Sequence, residues 1–302
     1  MKKRLWYAII VLVIYALLYA IEVVYKGEAK MLITETRNEK TKNISGMSTA
    51  EMMRVMQEEN KRAVEALDTE LEAIGAAVDA ISERMAKGGR LFYIGCGTSG
   101  RLGVLDASEC PPTYGVPKDL VIGIIAGGDY ALRNAIEGAE DNLELGAETI
   151  AEYNLTENDS LIGISVAGGA RFVLGAIEYA KSKGALTVAL ANNPNSPIEQ
   201  AADMAISPIT GPEVITGSTR MKAGTSHKMV LNMISTAVMI RQGHVYENLM
   251  INLRPSNVKL RARMIRIVND ILECGEERAE ELLENNGFVI KEALRAAGKD
   301  IR

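Results

Sequence analysis

The sequence predicts an α/β fold, built on a doubly wound, mostly parallel sheet of five strands. Two observations predict this sheet. Short apolar runs, typical of buried parallel strands, alternate with helical patterns, and the loops after these runs contain glycine or serine. The expected strands are 91–94, 120–125, 161–165, 186–190 and the shorter 204–206. A helical arm is expected before the sheet and a small helical region after it.

Residues 1–30 form an apolar leader that allows three interpretations. Lys2, Lys3 and Arg4 precede an uncharged, mostly apolar run over 5–21, near the lower length limit for a membrane span. A retained anchor would place the rest of the chain outside the cytoplasm, because basic residues stay inside. Residues 18–20 match a cleavage site poorly, which disfavours a removed signal peptide. In the third interpretation Met31 is the true initiator, and residues 1–30 are an upstream extension wrongly assigned to the protein.

The composition indicates a globular chain that binds neither nucleic acid nor metal. Of 302 residues, 47% are hydrophobic and 24% are charged, enough for a sizeable core. The net charge of −5 and the lack of long basic runs argue against nucleic acid as the main partner. Three scattered cysteines and two histidines fit no disulfide framework and exclude a three-histidine metal site.

Helical periodicity defines the arm and the C-terminal region. Apolar residues recur at helical steps over 48–85, where Ser48 and Glu51 form a capping box and Gly88-Gly89 ends the pattern. The length favours two helices with a break. Another long helix is expected over about 221–242, and the chain is charged and amphipathic again after residue 254. We therefore expect a domain over 31–254 that includes the arm, and a helical region over 255–302.

A glycine-rich loop follows the first expected strand. Residues 95–100 match G-x-G-x-x-G, the dinucleotide fingerprint, but no acidic residue follows the next strand at the required place. A simpler interpretation is a phosphate cradle made by Gly97, Thr98 and Ser99 at a helix N-terminus. A tight turn that merely needs glycines is the alternative.

Residues 211–228 combine cations, hydroxyls and glycines at the start of a helix. Such a loop can hold an anionic, hydroxyl-rich small molecule. The candidate binding residues are Glu213, Ser218, Thr219, Arg220 and Lys222. The alternative is an ordinary helix N-terminus capped by Ser218 or Thr219.

Two carboxylates lie next to helix breaks. Glu109 precedes Pro111-Pro112, where a helix is expected to stop, and Glu140 lies in the stretch 137–141. Two carboxylates in one pocket can divide the acid and base roles. Taken singly, each is more readily interpreted as a solvated surface residue.

Three segments together, 95–113, 137–141 and 211–228, resemble the N-acetylmuramic acid 6-phosphate etherase family. This family belongs to the sugar isomerase (SIS) phosphosugar-binding group, with the glucokinase regulatory protein. The resemblance runs from about Met31 to the C-terminus, and the stretch 34–38 is similar to the start of family chains. It implies a cytoplasmic enzyme of cell-wall amino sugar recycling that needs no metal or cofactor.

The resemblance also implies residue roles. The family cleaves the D-lactyl ether of its phosphosugar by elimination and water addition. Glu140 is then the base at C2, and Glu109 is the acid that assists lactate departure. Family members are homodimers with sites near the subunit interface, so the second chain is expected to complete the pocket.

One loop departs from the pattern of the SIS group. Where a Ser-x-Ser-Gly-x-Thr-like loop is expected, the chain has Ser165, with alanine at 167 and 170, followed by Arg171. The lost hydroxyls favour a catalytically idle phosphosugar-binding regulator, whereas retention of both glutamates favours the enzyme. A dehydrogenase is a more distant alternative. His227 is expected to line the pocket or to be structural.

Overall fold

Five parallel strands form the central sheet. They are β1 (Leu91–Gly95), β2 (Val121–Ile125), β3 (Ser160–Ile164), β4 (Leu186–Leu190) and β5 (Met204–Ile206). Their spatial order is β2-β1-β3-β4-β5, and every pair is parallel. The chain adds β2 on one side of β1 and then crosses to add β3 on the other. The loops after β1 and β3 therefore diverge and leave a crevice, which is where doubly wound folds bind ligands.

This computed structural model describes residues 32–255 and 257–299. The leader and Met31 lie outside the described residues, as do the predictions made for them. Within the described part, no helix is both long and apolar enough to cross a membrane. The helices in chain order are α1 (Thr49–Glu65), α2 (Leu71–Met85), α3 (Gly97–Tyr114), α4 (Leu143–Ala151), α5 (Arg171–Ser182), α6 (Pro197–Ala201), α7 (Lys222–Arg241), α8 (Val258–Leu272), α9 (Glu276–Asn285) and α10 (Ile290–Ala296).

Helices cover both faces of the sheet. Alternate strand side chains point to opposite faces, so Tyr93 and Ile162 pack with α2, α3 and α7, whereas Phe92 and Leu161 pack with α4, α5 and α6. Because both faces are covered, every residue of β1, β3 and β4 is buried. This explains why the strands are continuous apolar runs, and it confirms the predicted doubly wound, parallel α/β sheet of five strands.

The helical arm begins with three short 3₁₀ turns, Ile33–Glu35, Glu39–Thr41 and Ile44–Gly46. The predicted capping box then starts α1. The Glu51 N–H donates to Ser48 Oγ at 3.4 Å, and the Ser48 N–H donates to Glu51 Oε2 at 2.8 Å. As expected, α1 and α2 are separate helices.

The prediction that a helix stops before Pro111-Pro112 is wrong. Helix α3 continues through both prolines to Tyr114. Proline removes a donor and crowds the carbonyl four residues earlier, so the last turn of α3, which contains both prolines, lacks the N–H donors of residues 111 and 112. The helix ends at Gly115, which adopts a left-handed φ of +64° and donates its N–H to the Pro111 carbonyl at 2.9 Å.

The C-terminal helices share an apolar core of their own. Met264 and Val268 of α8 pack with Leu283 of α9 and Leu294 of α10. A two-stranded hairpin over Val245–Tyr246 and Leu249–Met250, not predicted from the sequence, adds side chains to this cluster. The expected helical C-terminal region is therefore present, and its boundary near residue 255 stays a prediction.

Candidate active site

A cavity of about 300 Å³ lies at the crevice between the loops after β1 and β3. Its polar side chains comprise four hydroxyls, those of Thr98, Ser99, Ser165 and Thr219, and two carboxylates, those of Glu35 and Glu140. The lining contains no lysine or arginine among the described residues. The groups that this chain offers to an anion in the cavity are therefore hydroxyls and backbone N–H groups.

The N-terminus of α3 forms one wall. Gly95 and Gly100 let β1 and α3 approach closely, because a Cβ on Gly95 would lie 2.7 Å from the Gly100 nitrogen. The residue before the helix, Cys96, makes no side-chain cap. The first N–H groups of a helix have no partner within it, so this N-terminus, with the Thr98 and Ser99 hydroxyls, is suited to a phosphate.

The loop after β3 forms the opposite wall. Its turn is held by Ser165, whose Oγ accepts the Gly168 N–H at 3.2 Å. Ala167 and Ala170 line the cavity with methyl groups, and Ala170 precedes α5 without capping it. Arg171 is exposed and is not part of the lining, so it does not replace the missing hydroxyls within the cavity.

Glu140 is positioned by the neighbouring helix and loop. Its carbonyl accepts the Phe172 N–H in the first turn of α5 at 3.0 Å. The preceding loop is held by the Arg101 guanidinium, which donates to the carbonyls of Ala131 at 2.7 Å and Leu132 at 2.9 Å. A second cavity of about 370 Å³ shares Cys96, Gly97 and Glu140 with the first. The Glu140 carboxylate thus lies where the two chambers meet, with room for a ligand larger than phosphate.

The Cys96 thiol also lines both chambers. Burial raises its pKa to about 12, and the negative charges of Glu140 and Asp141 add to the effect. The thiol is therefore protonated at neutral pH. It contributes a neutral surface beside the carboxylate rather than a nucleophile.

Only Thr219 of the 211–228 segment lines the cavity, which corrects the expected placement of two residues. Glu213 is fully buried, and its carboxylate accepts the N–H groups of Lys222 at 3.2 Å and Ala223 at 2.9 Å. Burial raises the pKa of Glu213, although the two hydrogen bonds act in the opposite direction. Its position caps the start of α7.

Lys222 is likewise buried, with its ammonium paired to Glu59 of α1. Burial opposes ionisation of Glu59, but the hydrogen bond and charge of Lys222, with the hydrogen bond from Asn38, hold the pKa of Glu59 below its usual value. A buried cation needs such a partner. Lys222 and Glu213 therefore fix the start of α7 instead of facing the cavity.

Ser218 and Arg220 lie outside the lining. Ser218 is half-buried and its N–H donates to the Ile215 carbonyl at 2.9 Å. Arg220 is exposed at the loop surface. Their binding roles stay predictions.

Glu109 is distant from the cavity in the same chain. It is exposed on α3 and lines neither chamber. It lies eleven residues beyond Thr98, which corresponds to about 16 Å along a helix. Leu105, one turn earlier, is 46% exposed. One chain alone therefore does not bring Glu109 and Glu140 together.

Sequence reasoning missed Glu35 as a site residue and left His227 open. Glu35 lines the cavity although it precedes the first strand by more than fifty residues; only contact through the folded arm reveals it. His227 is wholly buried and is not part of the lining. Burial lowers its pKa to about 3. A structural role fits this position.

Comparison with known proteins agrees with this geometry. The SIS domain family matches residues 140–237, and the family "Glucokinase regulatory protein N-terminal SIS domain" matches residues 73–181. A phosphoheptose isomerase from Francisella tularensis has a similar fold, with a TM-score of 0.50, 19% identity, and coverage of 64% of this chain and 98% of that one.

Full-length relatives are much more similar. The N-acetylmuramic acid 6-phosphate etherase of Caldanaerobacter subterraneus subsp. tengcongensis is 53% identical over 87% of this chain and 86% of its own. That of Salmonella agona is 48% identical over 88% and 90%. The chain therefore belongs to the N-acetylmuramic acid 6-phosphate etherase family.

Proposed function

We propose that this protein cleaves the D-lactyl ether of N-acetylmuramic acid 6-phosphate, giving N-acetylglucosamine 6-phosphate and D-lactate. The observation that carries the proposal is that the carboxylate of Glu140 lines the same cavity as an uncapped helix N-terminus with two hydroxyls, those of Thr98 and Ser99. Relatives 47–53% identical carry the etherase name. Because the substrate is a phosphosugar generated inside the cell, we place the catalytic domain in the cytoplasm.

We assign the phosphate group of the substrate to the cradle that Gly97, Thr98 and Ser99 form at the N-terminus of α3. Thr98 and Ser99 on α3, Ser165 after β3 and Thr219 before α7 supply hydroxyl donors, and the helix N-termini add N–H groups and a favourable dipole. The rest of the sugar extends toward Glu140, where the adjoining chamber provides further space.

Glu140 is assigned the role of base. In the open-chain sugar the aldehyde acidifies the proton on C2, and the Glu140 carboxylate removes it. The C3–O bond then breaks, the electron pair leaves with the lactyl oxygen, and a double bond forms between C2 and C3. Water adds its oxygen to C3 and a proton returns to C2, so the net change is hydrolysis of the ether. These steps require one base and one acid.

Glu109 is assigned the role of acid, contributed by a second copy of the chain. It is exposed on α3, about 16 Å along the helix from the cradle of its own chain. The exposed Leu105, one turn earlier on the same helix, would be covered by such a subunit contact. We therefore propose a homodimer in which each site combines Glu140 of one subunit with Glu109 of the other.

Release of D-lactate tests the function. The purified protein is incubated with N-acetylmuramic acid 6-phosphate, and D-lactate is measured by a coupled dehydrogenase assay. Glu140→Gln should abolish release, whereas Glu148→Gln, an exposed glutamate on α4, should leave it unchanged. Binding of the phosphosugar without any lactate release would instead indicate the regulator that Ala167 and Ala170 favour.

A further inference from the structure

A third carboxylate belongs to the cavity besides the predicted glutamates. Glu35 lies in the 3₁₀ turn Ile33–Glu35 of the arm, and its side chain lines the cavity with Glu140 and Thr219. A Cβ atom built on Gly217 would lie 3.2 Å from Glu35 Oε2, and Gly217 has a φ of +74°. The glycine thus leaves the space that the carboxylate occupies beside the loop before α7.

The residue before Glu35, Thr34, anchors the arm and so holds the carboxylate in place. Thr34 is fully buried. Its N–H donates to Asn193 Oδ1 at 3.5 Å, and Asn193 Nδ2 donates to Thr34 Oγ1 at 3.0 Å. The same amide group donates to the Val166 carbonyl at 3.0 Å, in the loop after β3. One buried asparagine therefore ties the arm directly to the wall of the cavity.

Two further contacts fix the arm against the 211–222 segment. Asn38 Nδ2 donates to the Pro212 carbonyl at 3.2 Å and to Glu59 at 2.8 Å, and Thr41 Oγ1 donates to the Val214 carbonyl at 2.8 Å. Asn38 and Thr41 are buried. The carboxylate is therefore presented by an anchored backbone rather than by a free terminus.

The chemistry of a carboxylate restricts what Glu35 can contact. An ionised carboxylate only accepts hydrogen bonds, and it repels a phosphate. A phosphate would therefore occupy the N–H-rich helix ends, while Glu35 requires a neutral donor from the ligand. A phosphosugar has such donors in its hydroxyl and acetamido N–H groups.

We propose that Glu35 is a substrate-contacting residue whose carboxylate accepts hydrogen bonds from the sugar, so that the arm completes the sugar-binding side of the cavity. This inference rests on the proposed function only in taking the ligand to be a phosphosugar. It adds a specificity-determining residue to the roles already assigned to Glu109 and Glu140.

Calorimetric binding with two probes tests the inference. Glu35→Ala should weaken binding of N-acetylglucosamine 6-phosphate about ten- to hundredfold, the range for hydrogen bonds to a charged group. Binding of inorganic phosphate should be unchanged or tighter, because a negative charge is removed. Glu35→Gln, which keeps one acceptor, should give a smaller loss. Glu39→Ala is the matched control, since Glu39 is exposed on the same arm and pairs with Lys42.

The outcomes separate this inference from the proposed function. Equal weakening of both probes in Glu35→Ala, or no weakening of the phosphosugar, would overturn the inference, as would a wild-type protein that does not bind the phosphosugar. A wild-type protein that binds the phosphosugar but releases no D-lactate would refute the etherase activity alone. Thermal melting of each variant checks that the fold is retained.

Discussion

Complementation between two inactive variants tests whether Glu109 acts across subunits. Glu109→Gln and Glu140→Gln are purified separately, and each is expected to release no D-lactate. In a mixed dimer, one site combines both substituted residues and the other combines both native ones. Activity should therefore reappear on mixing, although neither protein is active alone.

The size of the recovery follows from the geometry. Glu109 lies about 16 Å along α3 from the cradle, too far for its side chain to reach the cavity of its own chain. With free exchange of subunits in a two-fold dimer, half of the dimers are mixed and each has one native site, so activity should approach about a quarter of wild type. The D-lactate assay is run on serial mixtures after subunit exchange, and recovery should be greatest at equal amounts.

Two results would refute this reasoning. If both variants are inactive alone, no recovery after verified subunit exchange would show that Glu109 and Glu140 act within one chain. Full activity of Glu109→Gln alone would remove the residue from the mechanism. Two samples serve as references for the recovered activity: Glu140→Gln carried through the same exchange alone, and Glu140→Gln mixed with Glu148→Gln.

Three further predictions concern stability and the phosphate loop. The pKa of His227 is about 3 in the folded protein and 6.5 in the unfolded chain. The neutral imidazole therefore contributes its full share of the free energy of unfolding above pH 6.5, and this share is lost as the pH falls toward 3; by linkage the loss is at most about 5 kcal/mol. Urea unfolding of His227→Gln should show a weaker pH dependence than that of the wild type. Lys222→Met removes the buried cation that pairs with Glu59 and leaves it the longer ion pairs with Arg62 at 3.7 Å and Lys40 at 4.0 Å. The free energy of unfolding should therefore fall by no more than about 3–5 kcal/mol, and Lys222→Met with Glu59→Leu should recover part of this loss in urea unfolding. Gly168 has a φ of +74°, and a Cβ on it would lie 2.1 Å from the Ser196 Cβ. Gly168→Ala should therefore weaken phosphosugar binding measured by calorimetry. Gly169→Ala is the control and should bind normally, because a Cβ on Gly169 meets no atom within 4 Å.

The sheet could be predicted because its signal is local. Residues 91–95 are apolar throughout since both faces of β1 are covered, and the glycine-rich loop follows immediately. The cradle of Thr98 and Ser99 could be predicted for the same reason: a loop between a parallel strand and its helix always lies at the carboxyl edge of the sheet.

The inward or outward direction of loop side chains could not be predicted. Residues 211–228 indicate an anion-binding loop by composition, yet Lys222 turns into the interior because Glu59, 163 positions away, lies there to pair with it. Glu35 enters the cavity through a contact between the arm and Asn193 that has no local signature. Long-range pairs of this kind depend on the assembled fold.

The protonated state of Cys96 has a consequence for chemical durability. Peroxide and alkylating agents attack the thiolate, and with a pKa of about 12 only on the order of one Cys96 thiol in 10⁵ is ionised at neutral pH. Burial is the main cause of that pKa, and the charge of Glu140 adds a smaller contribution. Cys96 should therefore resist oxidising conditions that modify an ordinary exposed cysteine. Replacement of Glu140 should make Cys96 somewhat more reactive than it is in the wild-type protein.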